Sequence, residues 1–109
     1  MAIYITQGRY TSEAVRGMVA KPEDRTEELR KLMEAAGGKL LAFYYTLGEY
    51  DFLLIAEHAE QGGIASLLAA AASGTVSDLK TTTAISGPDM VQAFTKAGSL
   101  AKKFRPAGK

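Results

Sequence analysis

Two periods of hydrophobicity run through this chain. Ala2 to Gly8 (AIYITQG) is rich in β-branched and aromatic residues and predicts a first strand. Thr11-Ser12 can cap a helix, Glu13 suits a first turn, and Val15, Met18 and Val19 share one helical face. Pro22 then interrupts the pattern. It has no backbone donor, so it either restarts the helix at a first-turn position or kinks it. Helical spacing resumes in Leu29, Leu32, Met33 and Ala36, with charged residues opposite, and Gly37-Gly38 supplies a left-handed stop. Lys39 to Thr46 and Tyr50 to Glu57 predict a second and a third strand. Leu47-Gly48-Glu49 joins them as a hairpin in which Gly48 is free to take positive φ. Gln61-Gly62-Gly63 breaks the pattern before a helix marked by Ile64, Leu67, Leu68 and Ala71, which Gly74 ends. Val76 to Ser86 predicts a threonine-rich fourth strand. Ser86-Gly87-Pro88-Asp89 has capping-box spacing and opens a last helix with Met90, Phe94, Ala97, Ala101 and Phe104 along one stripe.

This order predicts an α+β, ferredoxin-like βαββαβ fold: a four-stranded antiparallel sheet with both main helices on one face, plus a C-terminal helix. The whole chain, residues 1–109, is read as one domain, with its core at 2–86 and the extra helix at about 87–105. A sheet covered on one side should alternate to polar residues on the other. These strands do not. In the third strand Leu53 and Ile55 occupy one face and Tyr50, Phe52, Leu54 and Ala56 the other. In the second, Leu41, Phe43 and Tyr45 oppose Leu40, Ala42 and Tyr44. Such a sheet needs cover on both faces, so two-fold self-association through the sheets is expected. A C-terminal helix folded back within one chain is the alternative.

Composition narrows the classes of function. The formal net charge is +1, which argues against a dedicated nucleic-acid binder. There is no cysteine, so no disulfide framework, thiolate nucleophile or thiolate metal site exists. The N-terminus has no basic and apolar leader pattern, and no apolar run reaches the ~20 residues a membrane span needs. A soluble cytoplasmic protein is the expectation. Nothing matches a nucleotide-binding loop or a catalytic triad, and no cofactor is called for.

The segment Gly48-Glu49-Tyr50-Asp51 lies between an aromatic-rich strand and an apolar one. With the opening IYITQGRYTSEAVR and the strand KTTTAIS, it resembles the GYD-domain family, over most of residues 2–95. That resemblance implies membership among dimeric α/β barrels, in which two ferredoxin-like sheets pack face to face. Relatives at that level divide into small cofactor-independent oxygenases or isomerases and effector-binding modules. Two functions are therefore carried. The first is a homo-oligomer that binds a small molecule or another protein without catalysis. The alternative is a small cofactor-free enzyme of oxygenase or isomerase type with a pocket inside the barrel. The partner expected in both is a second copy of the chain, with no nucleic acid and no membrane.

Candidate residues follow from side-chain chemistry. Asp51 is either a turn residue accepting backbone N–H groups or a group that orients a ligand or takes a proton. His58 is the only histidine. It is a candidate base, but a lone histidine just past a strand end reads first as a surface residue, and with no metal-spaced neighbour it predicts no metal site. Tyr4, Tyr44 and Tyr50 are placed on the barrel side, as packing residues or as an aromatic pocket for a flat ligand. Arg9 and Arg16 flank the first strand-to-helix turn, where an arginine could receive a carboxylate. Lys96, Lys102, Lys103, Arg105 and Lys109 make the tail basic, which complements a helix C-terminus.

Overall fold

The structure is a computed structural model that describes residues 2–109. Its elements are β1 (Ala2–Tyr10), α1 (Ser12–Ala20), α2 (Thr26–Ala35), β2 (Lys39–Tyr45), β3 (Phe52–His58), α3 (Glu60–Ala72), β4 (Val76–Ala84) and α4 (Gly87–Ala101). The strands form one antiparallel sheet in the order β2-β3-β1-β4. This is the ferredoxin-like plan, with an appended helix.

Local chemistry explains most of the boundaries. The Thr11 hydroxyl accepts the Ala14 N–H (3.2 Å) and caps α1, and the Ser86 hydroxyl accepts the Asp89 N–H (3.2 Å) and caps α4. Gly37 (φ +84°) and Gly74 (φ +76°) take the left-handed conformation expected after α2 and α3. Three expectations need correction. Pro22 neither kinks a continuous helix nor opens a new one: α2 starts further on, at Thr26, where the Asp24 carboxylate accepts the Thr26 N–H (2.9 Å). Gly48 is not among the positive-φ residues, and the β2–β3 connection runs from Thr46 to Asp51, wider than the three-residue link Leu47-Gly48-Glu49. Gly62 and Gly63 lie inside the first turns of α3 rather than ahead of it. A Cβ at Gly62 would collide with the Ala36 carbonyl, so glycine there lets α3 approach the end of α2.

The core lies between the sheet and the helices. Met33 of α2 packs with Leu40, Phe52, Leu54 and Ala56. Around Phe52 sits an aromatic cluster: its ring centroid is 5.1 Å from Tyr10 and 6.4 Å from Phe43, and Phe43 is 5.0 Å from Tyr45. The alternation assigned to β3 holds, since Phe52, Leu54, Ala56 and His58 are all buried and the residues between them only partly so. A bulge between Leu40 and Ala42 shifts β2, and Phe43 comes to pair with Leu54 while Ala42 pairs with Ile55. Leu40 and Phe43 thereby share a face, contrary to simple alternation.

The other face is open. Its middle rows pair Tyr44 with Leu53 and Leu53 with Gln7, then Ala42 with Ile55 and Ile55 with Ile5. The C-terminal helix does not fold back over these residues: every residue from Ile85 to Lys109 is exposed. Chain dimensions agree, with a radius of gyration of 18.1 Å where a compact chain of this length has about 13 Å. Helix α4 stands away from the body.

Candidate functional site

A cavity of about 290 Å³ opens between α3 and the covered face of the sheet. Tyr4, Thr6, Thr81 and Thr83 reach it from β1 and β4, whose register places Tyr4 opposite Thr83 and Thr6 opposite Thr81. Leu54, Ala56 and His58 come from β3, Met33 from α2, and Ser66 and Leu67 from α3. Helical spacing turns Gly63, Ser66 and Leu67 toward the same side of α3.

The hydroxyls are not equivalent. Thr6 and Thr81 hydrogen-bond to each other (2.9 Å), and the buried Ser66 hydroxyl donates to the Gly63 carbonyl (2.9 Å). Both pairs are satisfied locally, whereas the Tyr4 and Thr83 hydroxyls have no side-chain partner among the described residues and can meet a ligand. Among the described residues, no Asp, Glu, Lys or Arg lines the cavity. The site therefore suits an uncharged, mainly apolar molecule, because an ion would enter without a counter-charge.

His58 is not the surface residue its place at a strand end suggests. It is 3% exposed. Its Nε2 lies 3.1 Å from the Met33 sulfur, its ring sits 6.4 Å from that of Tyr4, and Nδ1 has no partner among the described residues. A Cβ at Gly38 would strike the Nδ1 edge, so Gly38 is what allows the ring to lie there. Burial holds the His58 pKa below the ordinary histidine value. The consequence has a definite sign. Below the ordinary value of 6.5 the unfolded chain takes up a proton that the native imidazole resists, so stability falls as pH drops through that point until the native ring itself protonates. Because His58 is the only histidine, the melting temperature should fall between about pH 7.5 and about pH 5.5, and His58→Gln should flatten that slope. An equal slope in the variant would refute the assignment.

The other candidates are spread over the molecule. Asp51 precedes β3 while His58 ends it. Seven residues of strand separate them, on the order of 20 Å. They cannot serve one pocket. Asp51 ties strands together: its carboxylate accepts the Tyr10 N–H (2.9 Å), its own N–H donates to the Gly8 carbonyl (2.8 Å), and its carbonyl accepts the Thr46 N–H (2.9 Å). The Tyr50 carbonyl accepts the Thr46 hydroxyl (2.7 Å). Arg9 lies 5.7 Å over the Tyr50 ring and pairs loosely with Asp78 (3.8 Å), both at the surface. Tyr44 is 64% exposed on the open face, whereas Tyr4 is on the covered face. The three tyrosines thus do not form one pocket. Tyr10, missed in the sequence, sits at the strand end that Asp51 fastens. Burial first, then neighbouring Tyr45, pushes its hydroxyl well above the ordinary tyrosine value, so it stays protonated.

The sequence signal for the cavity was the alternation in Lys80-Thr81-Thr82-Thr83, which sends Thr81 and Thr83 to one face. Ser66 and Met33 gave no signal apart from helical periodicity. Among the described residues, no three His, Cys, Asp or Glu side chains gather to hold a metal ion, and no helix is long and apolar enough to cross a membrane.

The crystal structure of FFRP-DM1 superposes with a TM-score of 0.46 at 15% identity, covering 78% of this chain and 100% of that chain. No curated protein matches the sequence. The family model of the GYD domain matches residues 4–94, a span that takes in the whole sheet except its first two residues, the cavity, the Tyr50-Asp51 loop and the start of α4, and the chain belongs to the GYD domain family.

Proposed function

We propose that this protein is a homo-oligomeric binding domain without catalysis: two copies join through their open sheet faces, and each holds a small uncharged molecule between α3 and the sheet. The observation that carries the ligand reading is the cavity itself, about 290 Å³ with an apolar lining of Leu54, Ala56 and Leu67 and the hydroxyls of Tyr4 and Thr83. Such a lining orients a neutral ligand without activating it. The enzymatic alternative gathers Asp51 and His58 around one site and loses its support from their separation. Self-association is supported by Ile5, Leu53, Ile55 and Tyr44, which no part of the same chain covers. Burying a large apolar side chain contributes roughly 1.5–3 kcal/mol, and two-fold symmetry doubles each contribution.

Both halves are measurable. The chain contains no tryptophan, so the emission of added indole reports binding without background. Indole should bind saturably with a blue shift, and Ala56→Leu should abolish that binding by filling the cavity. Native mass spectrometry should show an even number of subunits for the parent protein and single chains for Ile55→Lys. Absence of saturable indole binding overturns the ligand reading, and an Ile55→Lys assembly identical to the parent overturns the sheet pairing.

A further inference from the structure

From the position of α4 we infer that it is an exchange arm: with its basic tail it docks into the cleft between α1 and α3 of a second copy. Helix α4 has an apolar stripe and nothing to bury it against. Phe94 is 63% exposed and Leu100 58%, and Phe104, which lies past the end of the helix and not on it as the sequence spacing suggested, is 71% exposed. A surface helix ordinarily turns such a stripe to a core, and leaving this one in water would forgo several side chains' worth of hydrophobic stabilisation.

The body offers a matching trough. A cleft of about 630 Å³ lies on the covered side of the sheet, apart from the open face. Its floor is Tyr10, Val76 and Leu79, and its walls carry the small residues Ala14 and Gly17 of α1 and Ala70 of α3. Small walls and an apolar floor accept bulky side chains such as Phe94 and Phe104. Its charged residues are mixed: Glu13 and Glu23 oppose Lys21 and Arg25, with Arg25 paired to Glu23 at 3.0 Å.

The cleft's own charges balance, and it is the body as a whole that complements the arm. Residues 1–86 carry eleven acids against eight bases, whereas residues 87–109 carry five bases and one acid. Two arms packed on each other would bring like charges together, but an arm on another copy's body joins opposite ones. The arm's own cleft is remote from its root. Helix α4 leaves the sheet at the Ala84 end of β4, and the cleft floor contains Val76 and Leu79 at the start of the same strand. The inference is independent of sheet pairing, since the cleft and the open face lie on opposite sides of the sheet.

The cysteine-free chain permits a direct test. Ala97→Cys lies on the arm's stripe, and Gly17→Cys stands on the α1 wall, where an added Cβ meets nothing within 4 Å. Two differently tagged chains, one with each substitution, are mixed and oxidised, and a disulfide between them is expected. The same pair built on an Ile55→Lys background should still cross-link, whatever the fate of sheet pairing. Adding Phe94→Asp with Phe104→Asp, both at exposed positions, should reduce the cross-link at least tenfold. The inference is overturned by arm-to-arm disulfides alone or by no bond between the tagged chains.

Discussion

Phe52→Ala is expected to destabilise the protein by about 3–5 kcal/mol, the usual cost of emptying a buried aromatic site. Phe52 is 5% exposed and packs at once against Tyr10, Phe43 and Leu54. Around this ring the bulged β2, the tied end of β1 and the start of β3 meet, so few neighbours can move in to fill the space. A small domain has about 5–15 kcal/mol in total, so the loss would be a large share of it. Urea unfolding followed by circular dichroism measures the effect as a lower midpoint at unchanged slope. Phe52→Lys should prevent folding, not merely separate subunits, because Phe52 points to the helices and not to a partner. A midpoint shift worth less than about 1 kcal/mol would show that the aromatic cluster is not the centre of the core.

Asp51→Ala should cost about 1.5–3 kcal/mol, the range for a hydrogen bond to a charged group whose loss leaves a partly buried donor unpaired. The donor is the Tyr10 N–H, at 2.9 Å, and β1 bulges between Gln7 and Arg9 just before it. A strand leaving its ladder register there needs an acceptor from elsewhere, and the Asp51 carboxylate supplies one across the chain. Asp51→Asn keeps an oxygen acceptor and should cost less. Thermal melting of the three proteins, with the indole titration beside it, separates structure from recognition. Normal melting of Asp51→Ala with lost indole binding would make Asp51 a ligand residue and overturn its role as a tie.

Several features were legible because they depend on neighbours in sequence. Thr11 and Ser86 cap helices with their own hydroxyls, Gly37 and Gly74 stop them, and the two-residue period of Phe52-Leu53-Leu54-Ile55-Ala56 assigns alternate residues to opposite faces. Other features depend on residues far apart. Both faces of β3 are apolar, so alternation could sort Phe52 from Leu53 but could not say which of them meets the helices. The bulge after Leu40 changed the parity of β2, and no residue type announces a bulge. His58 looked exposed at a strand end until Met33 and Gly38 closed around it.

Periodicity, capping residues and glycines thus prescribe the elements and their order, since each acts within a few positions along the chain. Three-dimensional pairing settles the rest. It puts Asp51 beside Tyr10 and far from His58, sets Thr83 across from Tyr4 at a cavity, and leaves α4 with nowhere to bury Phe94 and Leu100 on its own body. These outcomes follow from register and crossing geometry, in which each contact depends on every strand already in place.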